Sequence, residues 1–141
     1  MDAQTTAAWD AYRKLLRGVR AVIARIEPRL AAFGLTATQF GVLEVIWHSG
    51  PASQRELGRK ALTSPGNMTD VVDKLEERGL VRRTRLPADR RAIQVELTQA
   101  GRSLIEPLFE QHAGDVAAGM RGLTPLELEQ LADLLAKLSP E

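Results

Sequence analysis

Residues 53–98 read SQRELGRKALTSPGNMTDVVDKLEERGLVRRTRLPADRRAIQVELT, and this stretch decides the fold of the chain. Its first half predicts two short helices joined by a tight connection. Ser53 and Glu56 form an S-x-x-E capping pattern that opens the first of these helices. Thr63 or Ser64 can cap the second, because a hydroxyl oxygen there can accept from the free amides of the first turn.

The second half of the stretch predicts a two-stranded ribbon with a basic tip. Gly79 ends the preceding helix. Residues 80–85 and 92–97 are interpreted as strands, the second with apolar and polar side chains in alternation. The Pro-Ala-Asp sequence at 87–89 supplies the turn between them.

Apolar residues outside this stretch recur every three or four positions, which is the spacing of one helix face. The first such helix covers residues 5–33 and ends at Gly34, and the second begins at the T-x-x-Q capping box of Thr36. Thr98 and Thr124 begin the last two helices. The predicted order is α-α-α-α-β-β-α-α, which is mainly α with a small β-wing.

Composition excludes several classes of function. The 141 residues include no cysteine, so a disulfide, a zinc–thiolate site and a thiol redox switch are excluded. Two histidines alone do not make a metal site, and we expect no metal and no cofactor. No nucleophile–base constellation or Gly-rich phosphate loop indicates an enzyme. No apolar run approaches the roughly 18 residues of a membrane span and no signal peptide is evident, so we expect a cytoplasmic protein without a membrane partner.

Charge is distributed unevenly along the chain, although the net charge is only +1. Residues 1–52 carry +2, residues 53–91 carry +4 and residues 92–141 carry −5. Positive charge in the middle and negative charge at the end indicate two surfaces with different tasks.

The start of the second short helix has the chemistry that base recognition needs. Side chains there are short and polar, and Gly66 allows a close approach of the backbone. Lys74 and Arg78 lie farther along, where phosphate contacts are expected. An ordinary capped helix with a solvated face is the alternative interpretation. The predicted DNA contacts from the two helices are Ser53, Gln54, Arg55, Thr63, Ser64, Pro65, Gly66, Asn67, Thr69 and Lys74.

The ribbon adds a second set of predicted DNA contacts. An arginine at a hairpin tip can enter the narrow minor groove, whose negative potential attracts it. The alternative is that basic residues only keep an edge strand soluble. The predicted contacts here are Arg82, Arg83, Arg85, Asp89, Arg90 and Arg91. Helix, tight turn, polar-tipped helix and basic wing, in that order, predict a winged helix-turn-helix.

These residues resemble the MarR family of bacterial transcriptional regulators, and the resemblance covers nearly the whole chain. The D-x-R of residues 89–91, followed by the L-T-x-x-G of residues 97–101, is the most characteristic pattern of that family. The resemblance implies that residues 64–69 enter the major groove of DNA. It also implies that Arg91 enters the minor groove and that Asp89 braces Arg91.

The resemblance further implies a homodimer that binds a palindromic double-stranded operator. The expected segments are an N-terminal dimerisation helix (1–35), the winged helix-turn-helix (36–98) and C-terminal dimerisation helices (99–141). Such proteins usually repress transcription. They release DNA when a small aromatic or phenolic ligand binds between the dimer helices and the DNA-binding lobe.

Two histidine segments bear on the ligand. Within the family, IWHSG and FEQHA resemble the regulators that answer to quinones, catechols and hydroquinones. A planar ligand needs an apolar slot with a few polar groups, and Arg13 or Arg17 could meet a carboxylate. The alternative is that the aromatic residues fill the core and the histidines are hydrogen-bonded or exposed. The predicted pocket residues are Trp9, Tyr12, Arg13, Phe40, Trp47, His48 and His112.

Three functions remain open from the residues. The first is a dimeric, ligand-responsive repressor. The second is a winged-helix protein-interaction module that has lost DNA binding, which the polar helix tip and the wing arginines argue against. A constitutive repressor with no ligand is the third.

Overall fold

The computed structural model describes residues 1–61, 65–86 and 88–139, with only the backbone described at residues 65 and 89–92. The protein is mainly helical with one small antiparallel sheet, which confirms the predicted fold class. The elements in chain order are α1 (Ala3–Ala32), α2 (Ala37–Ser49), β1 (Ala52–Ser53), α3 (Gln54–Lys60), α4 (Pro65–Glu77), β2 (Val81–Leu86), β3 (Asp89–Leu97), α5 (Gln99–Gly119) and α6 (Pro125–Ala136).

The sheet has the strand order β1-β3-β2, and both strand pairs are antiparallel. Val95 of β3 is fully buried, and it pairs with Ala52 of β1 on one side and with Arg83 of β2 on the other. The predicted order lacked β1 and is corrected to α-α-β-α-α-β-β-α-α. Two residues are too few to show an alternating pattern, and β1 depends on a partner strand much later in the chain.

α1 and α4 end in the same local geometry. Gly34 and Gly79 both have a φ of 71°, in the left-handed region that glycine adopts without a steric cost. The bonds of a Schellman motif follow in both helices: Gly34 N to Ala31 O, Leu35 N to Leu30 O, Gly79 N to Glu76 O and Leu80 N to Leu75 O. The four leucines of these motifs are buried, so each helix end is anchored in the core.

Four predicted N-caps are confirmed, those of Thr36, Ser53, Thr98 and Thr124. The boxes of Thr36 with Gln39 and of Thr124 with Glu127 are complete, with both reciprocal hydrogen bonds present. Ser53 accepts from the Glu56 amide at 3.1 Å and so caps α3. The Thr124 amide holds the pKa of the Glu127 carboxyl below its usual value, because its hydrogen bond favours the charged form.

The segment LTQAG at residues 97–101 makes a close contact between the start of α5 and the start of β2. The Thr98 hydroxyl donates to Gly79 O at 2.6 Å and accepts from Gly101 N at 3.0 Å, while the Thr98 amide donates to Leu80 O at 3.1 Å. A Cβ on residue 101 would lie 2.0 Å from Leu80 O. This approach therefore requires glycine, which gives the L-T-x-x-G pattern a physical reason.

Packing divides the chain into two compact units. The central unit is Glu27–His112, and the terminal unit is Met1–Ile26 with Ala113–Glu141. α1 and α5 each contribute residues to both units. The division into the predicted functional segments 1–35, 36–98 and 99–141 stays a prediction. The core of the central unit consists of Leu30, Leu35, Phe40, Val42, Leu43, Ile46, Ala52, Leu57, Met68, Val71, Val72, Leu75, Leu80, Val81, Val95, Leu97, Ile105 and Leu108.

The terminal unit leaves large apolar side chains exposed. α6 contains no buried residue. The exposed side chains are Trp9, Tyr12, Leu16, Val19, Leu126, Leu134, Leu135 and Leu138. Among residues 1–61, 65–86 and 88–139, no single helix is long and apolar enough to cross a membrane, and α1 with α2 meets that requirement only as a bent pair.

Candidate nucleic-acid interface

α4 has two chemically different faces. Met68, Val71, Val72 and Leu75 are buried, so one face of the helix is fixed to the core. The other face is exposed and begins with Gly66, Asn67 and Thr69. The first turn therefore presents small polar groups at the N-terminus of a helix, where the dipole favours negative charge.

Some of the predicted recognition residues lie outside the part of the chain that is described. Thr63 and Ser64 are among these residues, so their predicted contacts stay predictions. Pro65, of which only the backbone is described, is the first residue of α4, a position that proline favours.

α3 packs beside α4, and its start is linked to it by hydrogen bonds. Gln54 Nε2 donates to Thr69 Oγ1 at 3.3 Å, and Gln54 Oε1 accepts from Arg83 Nε at 2.8 Å. Arg55, the next residue, is exposed. Gln54 thus links the two helices, and Arg55 has a side chain accessible to a phosphate.

Arg83 of β2 is the centre of an ion-pair network on the side of α4. Its Nη2 lies 2.7 Å from Asp73 Oδ1, and its Nη1 lies 2.9 Å from Glu76 Oε1. The Arg83 amide also donates to Glu76 Oε2 at 3.0 Å. The side chain is only 21% exposed, and two carboxylates satisfy its charge. This pairing links α4 to the wing, and the direct DNA contact predicted from sequence for Arg83 stays a prediction.

The other predicted basic contacts are more accessible. Arg82 Nε lies 2.6 Å from Glu96 Oε1 with the Arg82 side chain 61% exposed, and Lys74 Nζ lies 3.1 Å from Asp70 Oδ2. Arg85 is also exposed. Exposed ion pairs contribute about 0–1 kcal/mol, so Arg82 and Lys74 can exchange them for a phosphate at little cost.

The wing tip is described only as backbone. Asp89, Arg90 and Arg91 are the first residues of β3, after an irregularity in the pairing of β2 with β3 between Arg85 and Leu86. Their side chains are not among those that the structure describes. The minor-groove contact of Arg91 and its brace by Asp89 therefore stay predictions.

Arg78 has a role that the sequence did not indicate. We predicted a phosphate contact for it, but its Nη1 donates to Gly34 O and its Nη2 donates to Phe33 O, each at 2.9 Å. Basic residues near a helix C-terminus often bind carbonyls, which is the only local signal for this contact. The bound carbonyls belong to a different helix end, 44 and 45 residues earlier in the chain.

An aromatic–histidine cluster joins α2 to α5 within the central unit. The ring centroids of Phe40 and His112 lie 4.1 Å apart. Trp47 lies 4.6 Å from His48 and 5.1 Å from Phe109, and His48 lies 4.8 Å from Phe109 in an edge-to-face arrangement. The structure thus brings together four of the predicted pocket residues and adds Phe109, which the sequence placed only on a helix face.

The other three predicted pocket residues belong to the terminal unit. Trp9 and Tyr12 are exposed, with ring centroids 5.7 Å apart, and Arg13 is exposed beside them on α1. Their joint action with the cluster stays a prediction. Within the described ranges, no group of three or more His, Asp or Glu side chains is arranged to hold a metal ion.

A polar-faced helix, a second helix hydrogen-bonded to it and a basic hairpin together define a DNA-binding transcriptional regulator of the helix-turn-helix class. Comparison with known proteins agrees. The HTH-type transcriptional regulator YkoM of Bacillus subtilis is 32% identical over 136 residues, a match that covers 96% of this chain and 88% of YkoM. A model of the MarR family matches residues 35–93. This chain belongs to the MarR family, whose members are DNA-binding regulators and not enzymes.

Solved structures of the family have the same fold. BpsR of Bordetella bronchiseptica, whose DNA binding is regulated by 6-hydroxynicotinic acid, has a TM-score of 0.84 at 28% identity, covering 92% of each chain. A cysteine-to-serine variant of MarR from E. coli, complexed with operator DNA, has a TM-score of 0.85 at 26% identity, covering 99% of this chain and all of that one.

Proposed function

We propose that this regulator is a homodimeric repressor that binds a palindromic operator and releases it when a small aromatic or phenolic ligand binds. The observation that carries the proposal is the two-faced α4. Its buried face fixes the helix, and its exposed first turn presents Gly66, Asn67 and Thr69. A helix presented in this way can insert its N-terminal residues into the major groove.

The remaining contacts follow from exposure and charge. Arg55, Lys74, Arg82 and Arg85 are exposed and suit phosphates on either side of the groove. Arg91 enters the minor groove at the wing tip, following the family pattern. The E. coli MarR complexed with operator DNA supports this mode, since that protein shares the fold along nearly the whole chain.

The terminal unit supports the homodimer. Its exposed leucines and aromatic residues need a cover, and a second copy offers the same surface. A two-fold dimer presents two α4 helices related by symmetry, so its operator would be palindromic. An operator is part of the bacterial chromosome, which lies in the cytoplasm. We therefore propose that the protein is cytoplasmic.

The aromatic–histidine cluster supports a ligand that is aromatic and carries a hydroxyl or carboxylate. Ring faces of Phe40, Trp47 and Phe109 can stack on a planar ligand, and the imidazoles of His48 and His112 can donate or accept hydrogen bonds. The regulation of BpsR by a hydroxylated aromatic acid is consistent with this class.

The test begins with selection of DNA duplexes by the wild-type protein from a randomised pool. We expect selection of one family of palindromic duplexes. The Asn67→Ala variant should bind the selected duplex about tenfold more weakly than the wild type does, and it should bind no other duplex more tightly. Glu77→Ala, at the other end of the exposed face of α4, is the control and should bind normally. Selection of no duplex would contradict the proposal.

The ligand is tested on the same duplex. Phenols, quinones and aromatic acids are screened by thermal shift, because a compound that binds only the native protein raises its melting temperature. A hit should also release the duplex. Stabilisation by none of these classes, with DNA binding intact, would instead identify a constitutive repressor.

A further inference from the structure

We infer that Arg78 is a positioning residue for DNA recognition, which ties the end of α4 to the end of α1 and contacts no phosphate. The inference rests on the proposed function, because it concerns how α4 is presented to the operator. Arg78 lies in the segment 53–91, which carries a net charge of +4, and the sequence predicted a phosphate contact for it. The inference replaces that contact with a positioning role.

The geometry of the contact is specific. Arg78 follows the last residue of α4 and precedes Gly79, which turns the chain away. Its two terminal nitrogens donate to Phe33 O and Gly34 O at 2.9 Å each. A planar guanidinium that binds two neighbouring carbonyls is fixed in orientation as well as in distance.

Charge explains why a cation lies here. α1 and α4 both end near this point, and the C-terminus of each helix carries a partial negative charge of about half an electron. Two such ends repel each other unless positive charge lies between them. The Arg78 guanidinium lies against the end of α1 while belonging to the end of α4, so it offsets this repulsion and joins the two helices.

The consequence appears at the opposite end of α4. Arg83 holds the side of this helix through Asp73 and Glu76, and Arg78 holds its end. A rotation of about 5° about the Arg78 end would displace Asn67 by roughly 1–2 Å, given the rise of 1.5 Å per residue. Hydrogen bonds to base edges tolerate less than this, so release of Arg78 should cost sequence-specific affinity.

Arg78→Gln and Arg78→Lys test the inference on the full-length protein. The probes are a duplex selected by the wild-type protein and a scrambled duplex of the same length. Arg78→Gln should lose about tenfold in affinity for the selected duplex and little for the scrambled one, with an unchanged dependence on salt. Arg78→Lys keeps the charge but not the planar fork, and should regain only part of the loss. Amide hydrogen exchange along α4 should be faster in both variants.

A phosphate contact would give a different pattern. Arg78→Lys would then bind as the wild type does, and Arg78→Gln would weaken both duplexes and reduce the salt slope by about one. Either that pattern or wild-type behaviour of both variants would overturn the inference. If Arg78→Gln fails to fold, Arg78→Lys is tested alone. A lower preference for the selected duplex, with faster amide hydrogen exchange along α4, would support the positioning role of Arg78. Wild-type binding and wild-type exchange rates would refute it. If the wild type selects no duplex, the proposed function fails first.

Discussion

At the scale of single residues, Gly101 is the most tightly constrained glycine in the described part of the chain. Its α-carbon lies against the Leu80 carbonyl, and a Cβ there would be 2.0 Å from that oxygen and 3.1 Å from Leu97 Cδ2. The nearest atom is backbone, so it cannot move aside as a flexible side chain can. Leu80, which precedes β2, meets residues of β3 and α5 at this contact, so the contact is a fixed point of the central unit.

Gly101→Ala should therefore lower the free energy of unfolding by about 1–3 kcal/mol or more, because the added methyl group overpacks the contact. Urea denaturation at a fixed protein concentration measures the change. Gly114→Ala on the same helix is the matched control, since a Cβ there meets nothing within 4 Å. The control should be neutral or more stable, because alanine favours a helix over glycine by about 1 kcal/mol. Equal effects of the two substitutions would contradict the argument.

Arg78, Arg82 and Arg83 show where sequence reasoning ends at this scale. All three are basic residues at the end of α4 or the start of the wing, and we predicted a DNA contact for each. The structure distinguishes them by their partners: two carbonyls for Arg78, one exposed carboxylate for Arg82 and two carboxylates for Arg83. Those partners are set by tertiary packing, which no local pattern records.

At the scale of elements, α6 presents an apolar surface that the described part of the chain leaves partly uncovered. Three of its five leucines are exposed, Leu134 at 59%, although its capping box shows that the helix itself is well specified. A stripe of this kind is stable in water only when another surface covers it. The second protomer proposed above supplies that surface.

Leu134→Glu should therefore disrupt the dimer while leaving each chain folded. The charge would be buried at the interface of the dimer but exposed in a single chain, so we expect the dimer dissociation constant to rise roughly tenfold or more. Analytical ultracentrifugation measures the change. Ile93→Glu, an exposed site on β3 outside both predicted dimerisation segments, is the control and should leave the dimer unchanged. Dimers of normal strength in Leu134→Glu would remove α6 from the interface.

Elements were predicted well where their ends are local. Thr36, Ser53, Thr98 and Thr124 all accept the amide bonds expected of N-caps, because such bonds join residues three positions apart. β1 was missed for the opposite reason. Its two residues become a strand only when β3 lies beside them.

At the scale of the whole molecule, charge is divided along the chain in a way that suits one DNA-binding surface. Residues 53–91 carry a net charge of +4 and residues 92–141 carry −5. Arg78 donates to two backbone carbonyls and Arg83 pairs with two carboxylates, so fewer cations are left for phosphates than the sequence indicates. The number of phosphate contacts should be moderate for each protomer and twice as large in a dimer.

The affinity for the selected duplex should therefore fall steeply with salt. Each phosphate neutralised contributes about −0.9 to the slope of log K against log salt, and we expect a total steeper than about −4 for two protomers. Titrations at several salt concentrations measure the slope. A flat response would mean that the exposed arginines of α3 and the wing do not meet phosphates.

The candidate ligand site was predicted only in part. Phe40, Trp47, His48 and His112 were identified from short segments, and the structure brings them together across α2 and α5. Phe109 was not predicted as part of this cluster. The sequence around an apolar residue on a helix face does not indicate which side chains of another helix it contacts. Aromatic character can be read from one segment, but a cluster requires the packing of two helices.

The pairing of β1 with β3 also limits how far this DNA-binding region can be treated as a portable module. A graft beginning at Gln54, the first residue of α3, would leave out Ala52 and Ser53 and uncover one edge of the strand that carries Val95. An uncovered edge of this kind invites pairing with other chains. Engineers who transfer the recognition helix and wing to a new scaffold should therefore begin the transferred segment no later than Ala52.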